Sequence, residues 1–131
     1  MLDKLRIQTN AAPPANGTYT QAIRTGNLVF VTGQTGRNPE TGRLEDGVEA
    51  QAQRLFSNIA AVLNASGCSA AGIIKATLVL ADMKDFLAVD PIYAGWLPDD
   101  RVICNPARTV FQASLPQGAL VMLDVIATFP S

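Results

Sequence analysis

The feature that most constrains this chain is one long amphipathic helix predicted near its middle. Its apolar residues recur at three- and four-residue spacing, which places them on one face of a 3.6-residue period. They are Val48, Ala52, Leu55, Phe56, Ile59, Val62 and Leu63. Asp46 and Glu49 have the spacing of a capping box at the start of the helix, and Ser66-Gly67 offers a glycine suited to its end. The pattern assigns this apolar face to the core.

Three short strands are predicted before the helix. Lys4–Thr9 alternates apolar and polar residues, Thr18–Ile23 forms the second run, and Leu28–Val31 is apolar on both faces. A strand that is apolar on both faces usually lies inside a sheet, so the third strand is predicted to be central. Between the first two strands, Ala11–Gly17 contains two adjacent prolines and a glycine, which exclude a helix.

Another strand, a second helix and two further strands are predicted after the first helix. Ile73–Leu80 alternates, and one face of this strand is apolar. That face is predicted to carry Ile74, Ala76, Leu78 and Leu80. Asp82 can cap a helix that reaches Trp96, although Pro91 predicts a kink or a break in it. Its buried side is predicted to carry Phe86, Val89, Ile92, Tyr93 and Trp96. The predicted order of elements is βββαβαββ, in one domain, residues 1–131.

The composition predicts an oligomer that does not bind nucleic acid or a membrane. Only 16% of the residues are charged, against about 25% in soluble domains, so part of the surface is expected to be covered by copies of the chain. Net charge is −1 and no run of lysine or arginine forms a stripe. No apolar run approaches the ~20 residues that span a bilayer, and no signal-peptide pattern is present. Two isolated cysteines, Cys68 and Cys104, favour a cytoplasmic protein.

The chain contains no histidine, and this excludes several kinds of active site. A Ser-His-Asp or Cys-His arrangement is impossible, and so is an imidazole metal site. The acids are not clustered and the two cysteines are isolated, so no metal is predicted. Any proton transfer must use a carboxylate, Tyr19, Tyr93, a lysine, a thiol, a hydroxyl or water.

Arg108 is the strongest candidate for a ligand-binding residue. Pro106 restricts the backbone ahead of it, and Thr109, Val110 and Phe111 are strand formers, so Arg108 is predicted to open a strand. A guanidinium braced in this way can present its planar donors to a carboxylate or a phosphate. The structural alternative is an arginine at a strand end that pairs with a surface acid.

Several short segments of the sequence contain residues that the formation of helices, strands and turns does not by itself require. They are Tyr19-Thr20-Gln21, Thr32-Gly33-Gln34, Pro39-Glu40-Thr41-Gly42, Asn58-Ile59, Ala81-Asp82-Met83, Asp85-Phe86, Pro106-Ala107-Arg108-Thr109 and Leu115-Pro116. In this order and spacing they resemble the Rid/YjgF family, the reactive intermediate deaminases. The resemblance extends from Ile7 to Ala127, and its most specific parts are the Pro-Ala-Arg-Thr and Thr-Gly-Gln segments. It favours the ligand-binding interpretation of Arg108 over the structural one.

The resemblance implies a fold, an assembly and a reaction. The fold is the chorismate-mutase-like α+β domain, with a mixed sheet and two helices on one face, assembled as a homotrimer with clefts between subunits. The reaction is hydrolysis of small 2-imino acids, formed from enamines such as 2-aminoacrylate, to 2-keto acids and ammonia, without a cofactor. In this resemblance Arg108 binds the substrate carboxylate, and Tyr19, Thr32 and Gly33 line the same cleft.

The chain departs from the family pattern at positions that affect this chemistry. Met122, counted among the substrate-binding residues, stands where the family has the glutamate credited with activating water. Asp124 keeps an acid on the same strand face and is a candidate catalytic residue, with a rim charge or an ion pair as the structural alternative. Asp90 stands in the cleft where asparagine is common, and its charge is expected to repel a carboxylate substrate. The cysteine of some members is Val110 here, and Cys104 is interpreted as a small buried side chain.

The sequence leaves more than one function open. The leading hypothesis is a weak or altered imine deaminase, with the same cleft and arginine anchor and with water supplied without the glutamate. The alternative is a non-catalytic trimer that binds ligands or modulates a partner, which the apolar Met122 favours. A third hypothesis is another hydrolytic reaction on an acid-bearing substrate that uses Asp124 or a tyrosine. Ribonuclease activity is disfavoured, because the chain has no histidine and no basic stripe.

Overall fold

The order of secondary-structure elements is the one predicted, βββαβαββ. The computed structural model describes residues 2–98 and 104–129. The elements are β1 (Leu5–Ile7), β2 (Ala22–Thr25), β3 (Leu28–Thr35), α1 (Val48–Ala65), β4 (Ile73–Leu80), α2 (Phe86–Trp96), β5 (Ala107–Gln112) and β6 (Val121–Thr128). Short 3-10 turns precede β4, α2 and β6. This arrangement of strands and helices confirms an α+β fold.

The strands of the described chain form one mixed sheet in the order β1-β2-β3-β6-β4-β5. β4 and β5 run parallel, whereas every other neighbouring pair is antiparallel. β3 lies inside the sheet between β2 and β6, so its predicted central position is confirmed. β5 is an edge strand, and this places Arg108 at the side of the sheet rather than in its middle.

Both helices lie on one face of the sheet and enclose the core with it. α1 packs against β3, β6 and α2. Leu55, Phe56 and Ile59 are buried on the face that the sequence predicted. The Phe56 ring stacks on Trp96 with centroids 5.0 Å apart and meets Tyr93 edge-on at 6.0 Å. These aromatic contacts fix α2 against α1 and bring the end of α2 over the edge of the sheet.

The described chain leaves the opposite face of the sheet uncovered. In β6, buried Leu123 and Val125 alternate with half-buried residues that point away from the helices. Phe30 and Phe111, which lie level with these residues on other strands, are 41% and 44% exposed. We call this surface the outer face; it carries Phe30, Phe111, Met122, Asp124 and Ile126. Its exposed aromatic residues make it suited to contact with another protein surface.

The predicted capping box at the start of α1 is wrong. Gly47 occupies the N-cap position with a φ of 85°, and no side chain caps the helix there. Glycine adopts a positive φ without a steric penalty, so Gly47 can turn the chain directly from the preceding loop into Val48. Asp46 lies exposed before it. At the other end, Ser66 and Gly67 end the helix as predicted.

The second strand begins at Ala22 rather than at Thr18, because Gln21 binds the proline loop. The Gln21 Nε2 donates to the carbonyl of Pro13 at 2.8 Å, and the N–H of Thr9 donates to Gln21 Oε1 at 2.7 Å. The buried amide therefore holds the loop in place instead of continuing the ladder. The same contact accounts for the early end of β1.

The predicted apolar face of β4 is wrong at its first residue. The pairing of β4 with β6 shifts register between Ile73 and Lys75, which marks a β-bulge. The bulge buries Ile73 and leaves Ile74 46% exposed. Beyond it, the other residues of the predicted face, Ala76, Leu78 and Leu80, are buried, and so is Val79 on the opposite face.

A kink or a break was predicted at Pro91, and the break is wrong, since α2 continues through this residue. Pro91 and Leu87, whose carbonyl lies one turn earlier, are both exposed. Water can therefore bind the carbonyl that loses its N–H donor. Asp82 caps the 3-10 turn before α2 by accepting from the N–H of Lys84 at 3.0 Å.

The interpretation of Cys104 as a buried side chain is wrong, because it is exposed. Cys68 is the buried cysteine, and burial raises the pKa of its thiol, which keeps it protonated. Among the helices described, none is long and apolar enough to cross a membrane. Within residues 2–98 and 104–129, no cluster of three His, Cys, Asp or Glu side chains could hold a metal ion.

Candidate functional site

Arg108 lies near the start of β5 and points toward the helices. It is level with Ala76 on β4, and Ala76 is fully buried beneath the helices. The Arg108 guanidinium carbon lies 4.7 Å from the ring centroid of Tyr93 and 5.5 Å from that of Phe86. Its side chain is 24% exposed. The aromatic rings of α2 therefore support a guanidinium that remains open to solvent on one side.

The acid that meets Arg108 is Asp90, from the middle of α2. Arg108 Nη1 donates to Asp90 Oδ1 at 2.7 Å, a short charge-assisted hydrogen bond. The Asp90 side chain is 39% exposed, more than its partner. Arg108 therefore pairs with an acid, as the structural alternative predicted. The same acid, Asp90, also lines the cleft that contains Arg108.

A cleft of about 1000 Å³ lies between the end of α2 and the chain that enters β5. Its described lining residues are Asp90, Tyr93, Ala94, Gly95, Trp96, Leu97, Pro98, Asn105, Pro106 and Arg108. Pro106 forms part of its wall and directs the chain into β5, as its position before Arg108 predicted. The only two residues with a charged side chain in this described lining are Asp90 and Arg108.

Tyr93 lines the cleft, and its hydroxyl is buried. Its Oη has no hydrogen-bond partner in the part of the chain that the structure describes. Desolvation raises the pKa of Tyr93, the nearby Asp90 adds to this effect, and the Arg108 charge opposes it. The phenol therefore stays protonated at neutral pH and can donate or accept a hydrogen bond.

A second group of predicted site residues lies around a β-bulge in β3. Val31 pairs with Val125 and Gln34 pairs with Leu123, so Thr32 and Gly33 together lie opposite Asp124. With this bulge β3 continues past Val31, the predicted end of the strand, to Thr35.

Met122 covers the bulge. A Cβ placed on Gly33 would come within 2.8 Å of Met122 Sδ, so the thioether lies directly over the glycine. Asp124 lies on the same face of β6 as Met122. The structure therefore brings Thr32, Gly33, Met122 and Asp124 together on the outer face.

This outer-face group is separated from Arg108 by the sheet itself. Arg108 is level with Ala76 and Val125, which are buried on the helix side. Asp124 is level with Thr77, on the alternate positions that face outward. One protomer consequently does not unite the predicted carboxylate anchor with the predicted acid.

Tyr19 does not line the Arg108 cleft, but its segment is joined to the β3 bulge, because the N–H of Thr32 donates to the carbonyl of Gln21 at 2.9 Å. It is in the loop between β1 and β2, is 52% exposed, and lines a separate depression of about 300 Å³ with residues of that loop. Its ring packs beside Gly17, with a Cβ position on the glycine 3.3 Å from Tyr19 Cε1. Trp96 and Asn105, in contrast, line the Arg108 cleft although the sequence analysis gave them no site role. For Asn105 the signal was its position three residues before Arg108; Trp96 carried no such signal.

Comparison with known proteins gives a family match over most of the chain. The model of the family described as Endoribonuclease L-PSP matches residues 9–129. Reactive Intermediate Deaminase A, chloroplastic, of Arabidopsis thaliana is 40% identical over 124 residues, which cover 93% of this chain and 64% of that protein. The chain thus spans less than two thirds of the length of this relative. The 2-iminobutanoate/2-iminopropanoate deaminase of Capra hircus is 37% identical, over 92% of this chain and 87% of that protein.

The fold is similarly matched by solved structures. The crystal structure of E. coli TdcF with bound serine has a TM-score of 0.90 and 31% sequence identity, and the match covers 96% of this chain and 99% of that chain. Likeness at this level confirms the predicted α+β architecture, with a mixed six-stranded sheet and two helices.

Proposed function

The chain belongs to the Endoribonuclease L-PSP family, also called the Rid/YjgF family, and we propose that it is a hydrolase of small 2-imino acids. The product pair is a 2-keto acid and ammonia, and water is the only co-reactant. Relatives named as 2-iminobutanoate/2-iminopropanoate deaminase support this assignment.

One observation carries the proposal: Arg108 presents a partly exposed guanidinium in a large cleft, supported by the ring of Tyr93. A guanidinium has several N–H donors in one plane, and Asp90 engages Nη1. The rest of the fork suits a bidentate bond to a substrate carboxylate. Tyr93 and Phe86 restrict its motion, so little side-chain entropy is lost when the substrate binds.

We further propose that the complete site forms between copies of the chain. The outer face of one protomer would bring Thr32, Gly33, Met122 and Asp124 to the Arg108 cleft of its neighbour. Their separation on opposite faces of one sheet supports this arrangement, because no small side-chain motion can join them. The exposed Phe30 and Phe111 support it as well, since contact would remove their apolar surface from water. The proposed assembly is a homotrimer, as in the family pattern.

Hydrolysis of a protonated imine requires few catalytic groups. A protonated imine carbon is already electrophilic, so the main tasks are to hold the substrate carboxylate and to position a water molecule. Water adds to C2 while the π electrons of the C=N bond move to nitrogen, and a proton passes from the added oxygen to that nitrogen. The C–N bond then breaks as the C=O bond forms, and the released ammonia takes up the remaining proton. In this proposal Asp124 orients the water or accepts its proton, because Met122 cannot.

A coupled assay tests the proposal directly. An amino acid oxidase generates a 2-imino acid from alanine or a longer neutral amino acid, and the decay of the imine is followed with and without the protein. Faster decay, with stoichiometric 2-keto acid and ammonia, is the expected result. Decay at the spontaneous rate with the folded protein at high concentration would contradict hydrolase activity.

Ligand binding without catalysis is the second candidate, and the position of Met122 over Gly33 favours it. The thioether makes this part of the outer face apolar where the family pattern has an acid. A binding protein would show a higher melting temperature with small 2-keto acids while the coupled assay stays at its background rate.

A further inference from the structure

We propose that Asp90 makes the cleft select substrates with a protonated nitrogen next to their carboxylate and reject substrates with a second negative charge. The inference rests on the proposed function, because it takes Arg108 as the carboxylate anchor. It adds the class of substrate that this anchor accepts. An amide at position 90, which is common in the family pattern, would not impose this selection.

The geometry shows that the guanidinium already has a carboxylate beside it. Asp90 Oδ1 accepts from Arg108 Nη1 at 2.7 Å, and Asp90 is the more exposed member of the pair. A substrate carboxylate must therefore bind another edge of the same fork. The two carboxylates then lie on neighbouring edges of one guanidinium, within a few ångströms of each other.

The local charges decide which substrates tolerate this arrangement. Among the described residues of the lining, Arg108 contributes one positive charge and Asp90 one negative charge. A substrate with a carboxylate alone makes this group negative overall, and the two acids repel each other; Asp124 of the neighbouring copy, in the proposed assembly, adds to the same negative charge. A positive charge on the substrate close to Asp90 removes that repulsion.

A protonated 2-imino acid supplies this charge at the right place. Its iminium nitrogen is bonded to the carbon that bears the carboxylate, so a substrate held by Arg108 keeps this nitrogen near the second oxygen of Asp90. The protonated imine is also the electrophilic form that water attacks. Selection by Asp90 thus favours the reactive protonation state, and it favours amino acids over 2-keto acids as ligands.

The test compares two ligands of the same carbon skeleton, L-alanine and pyruvate, which differ by an ammonium group in place of a keto oxygen. Trp96 is the single tryptophan of the chain and lines the cleft, so its fluorescence reports binding without turnover. We expect the wild-type protein to prefer alanine, and Asp90→Asn to reduce that preference about tenfold, the effect of one charge-assisted contact. Asp90→Glu keeps the charge and should keep most of the preference.

The matched control is Asp46→Asn, which removes an exposed carboxylate that lines a different depression with Arg43 and Leu44. This variant should leave the preference unchanged. If wild type and Asp90→Asn prefer alanine over pyruvate to the same degree, Asp90 does not select the ligand. If Arg108→Ala then binds neither ligand, the role of Arg108 as the carboxylate anchor stands. A wild-type protein that binds neither ligand would overturn both.

Kinetics provide a second readout. Imino acids made by oxidases from alanine and from aspartate differ by one negative side-chain charge. The ratio of kcat/KM for the neutral over the acidic substrate should fall about tenfold in Asp90→Asn. A loss of both activities in proportion would instead indicate a purely structural role for Asp90.

Discussion

The two faces of the sheet use the same strands for different purposes. On the helix side, Val29, Leu78 and Leu123 are fully buried and form the core. On the outer face, Phe30 and Phe111 remain exposed. The first face stabilises the single protomer, and the second is apolar without contributing to that core. The core is thus formed within one chain, whereas the predicted site residues are divided between the two faces of its sheet.

The candidate site is divided along the same line. The carboxylate anchor and its ion pair belong to the helix side, and the bulge of β3 with Met122 and Asp124 belongs to the outer face. Substitutions on the helix side should therefore affect binding or folding. Substitutions on the outer face should affect assembly or the catalytic step.

The largest effect is expected from Arg108→Ala. Removal of the guanidinium leaves the substrate carboxylate without its anchor and leaves Asp90 without its partner. We expect kcat/KM for imine hydrolysis to fall about 1000-fold, as for other preorganised charge-assisted contacts. The coupled assay measures it, and Arg108→Lys, which keeps the charge without the fork, should retain a small part of the activity. Keto acid release at the wild-type rate by Arg108→Ala would refute the anchor.

The next effect concerns stability on the helix side. Leu78 is fully buried in β4, between β5 and β6. Leu78→Ala should lower the free energy of unfolding by about 2–5 kcal/mol, the usual cost of a cavity of this size in a core. Denaturant titration measures this change. Thr77→Ala, on the outer side of the same strand, should lower the free energy of unfolding far less. Equal losses in the two variants would show that the two faces contribute alike to the stability of the chain.

An outer-face charge should instead weaken assembly. Phe30→Glu places a carboxylate on the exposed apolar surface that we propose is covered by another copy. We expect the dissociation constant of the oligomer to rise about 100-fold, because the charge must be desolvated on contact. Light scattering across a concentration series measures this, and circular dichroism should show the fold unchanged. An unaltered oligomer would show that copies meet elsewhere.

The sequence predicted the elements better than the contacts between them, for physical reasons. The periodicity of α1 is local and follows directly from burial on one side. The bulges at Ile73 and at Thr32–Gly33 depend on the register of a partner strand, which no local pattern encodes. The pair of Asp90 and Arg108 joins residues 18 positions apart through the way α2 lies on the sheet. The sequence marked both residues but not their contact.

A smaller change in rate is expected from Met122→Glu. The substitution places a carboxylate beside Gly33 and Asp124, where the family pattern has its glutamate. If the outer face supplies the water-activating group, imine hydrolysis should rise about tenfold. Met122→Gln, of similar size and without the charge, is the control and should leave the rate near that of wild type. A lower rate in folded, assembled Met122→Glu would indicate that the cleft serves another reaction.

The smallest effect is expected from Tyr93→Phe on the helix side. The substitution keeps the ring that packs on Phe56 and supports Arg108, and it removes a buried hydroxyl without a partner among the described residues. Its free energy of unfolding at pH 7 should stay within about 1 kcal/mol of wild type. A larger loss, or a loss of ligand binding, would show that the hydroxyl binds a water molecule or the ligand.

The pH dependence of the same variant separates these explanations. Burial raises the pKa of Tyr93, so the folded protein holds this proton more tightly than the unfolded chain does. The protonated phenol therefore contributes stability that is fully present below about pH 10, the ordinary tyrosine value, and is lost as the pH rises through the folded value. Tyr93→Phe lacks this loss, so its stability relative to wild type should increase above about pH 10. Parallel stability curves for the two proteins at high pH would show that Tyr93 titrates alike in both states, and that the helix side of the cleft is more hydrated than its packing indicates.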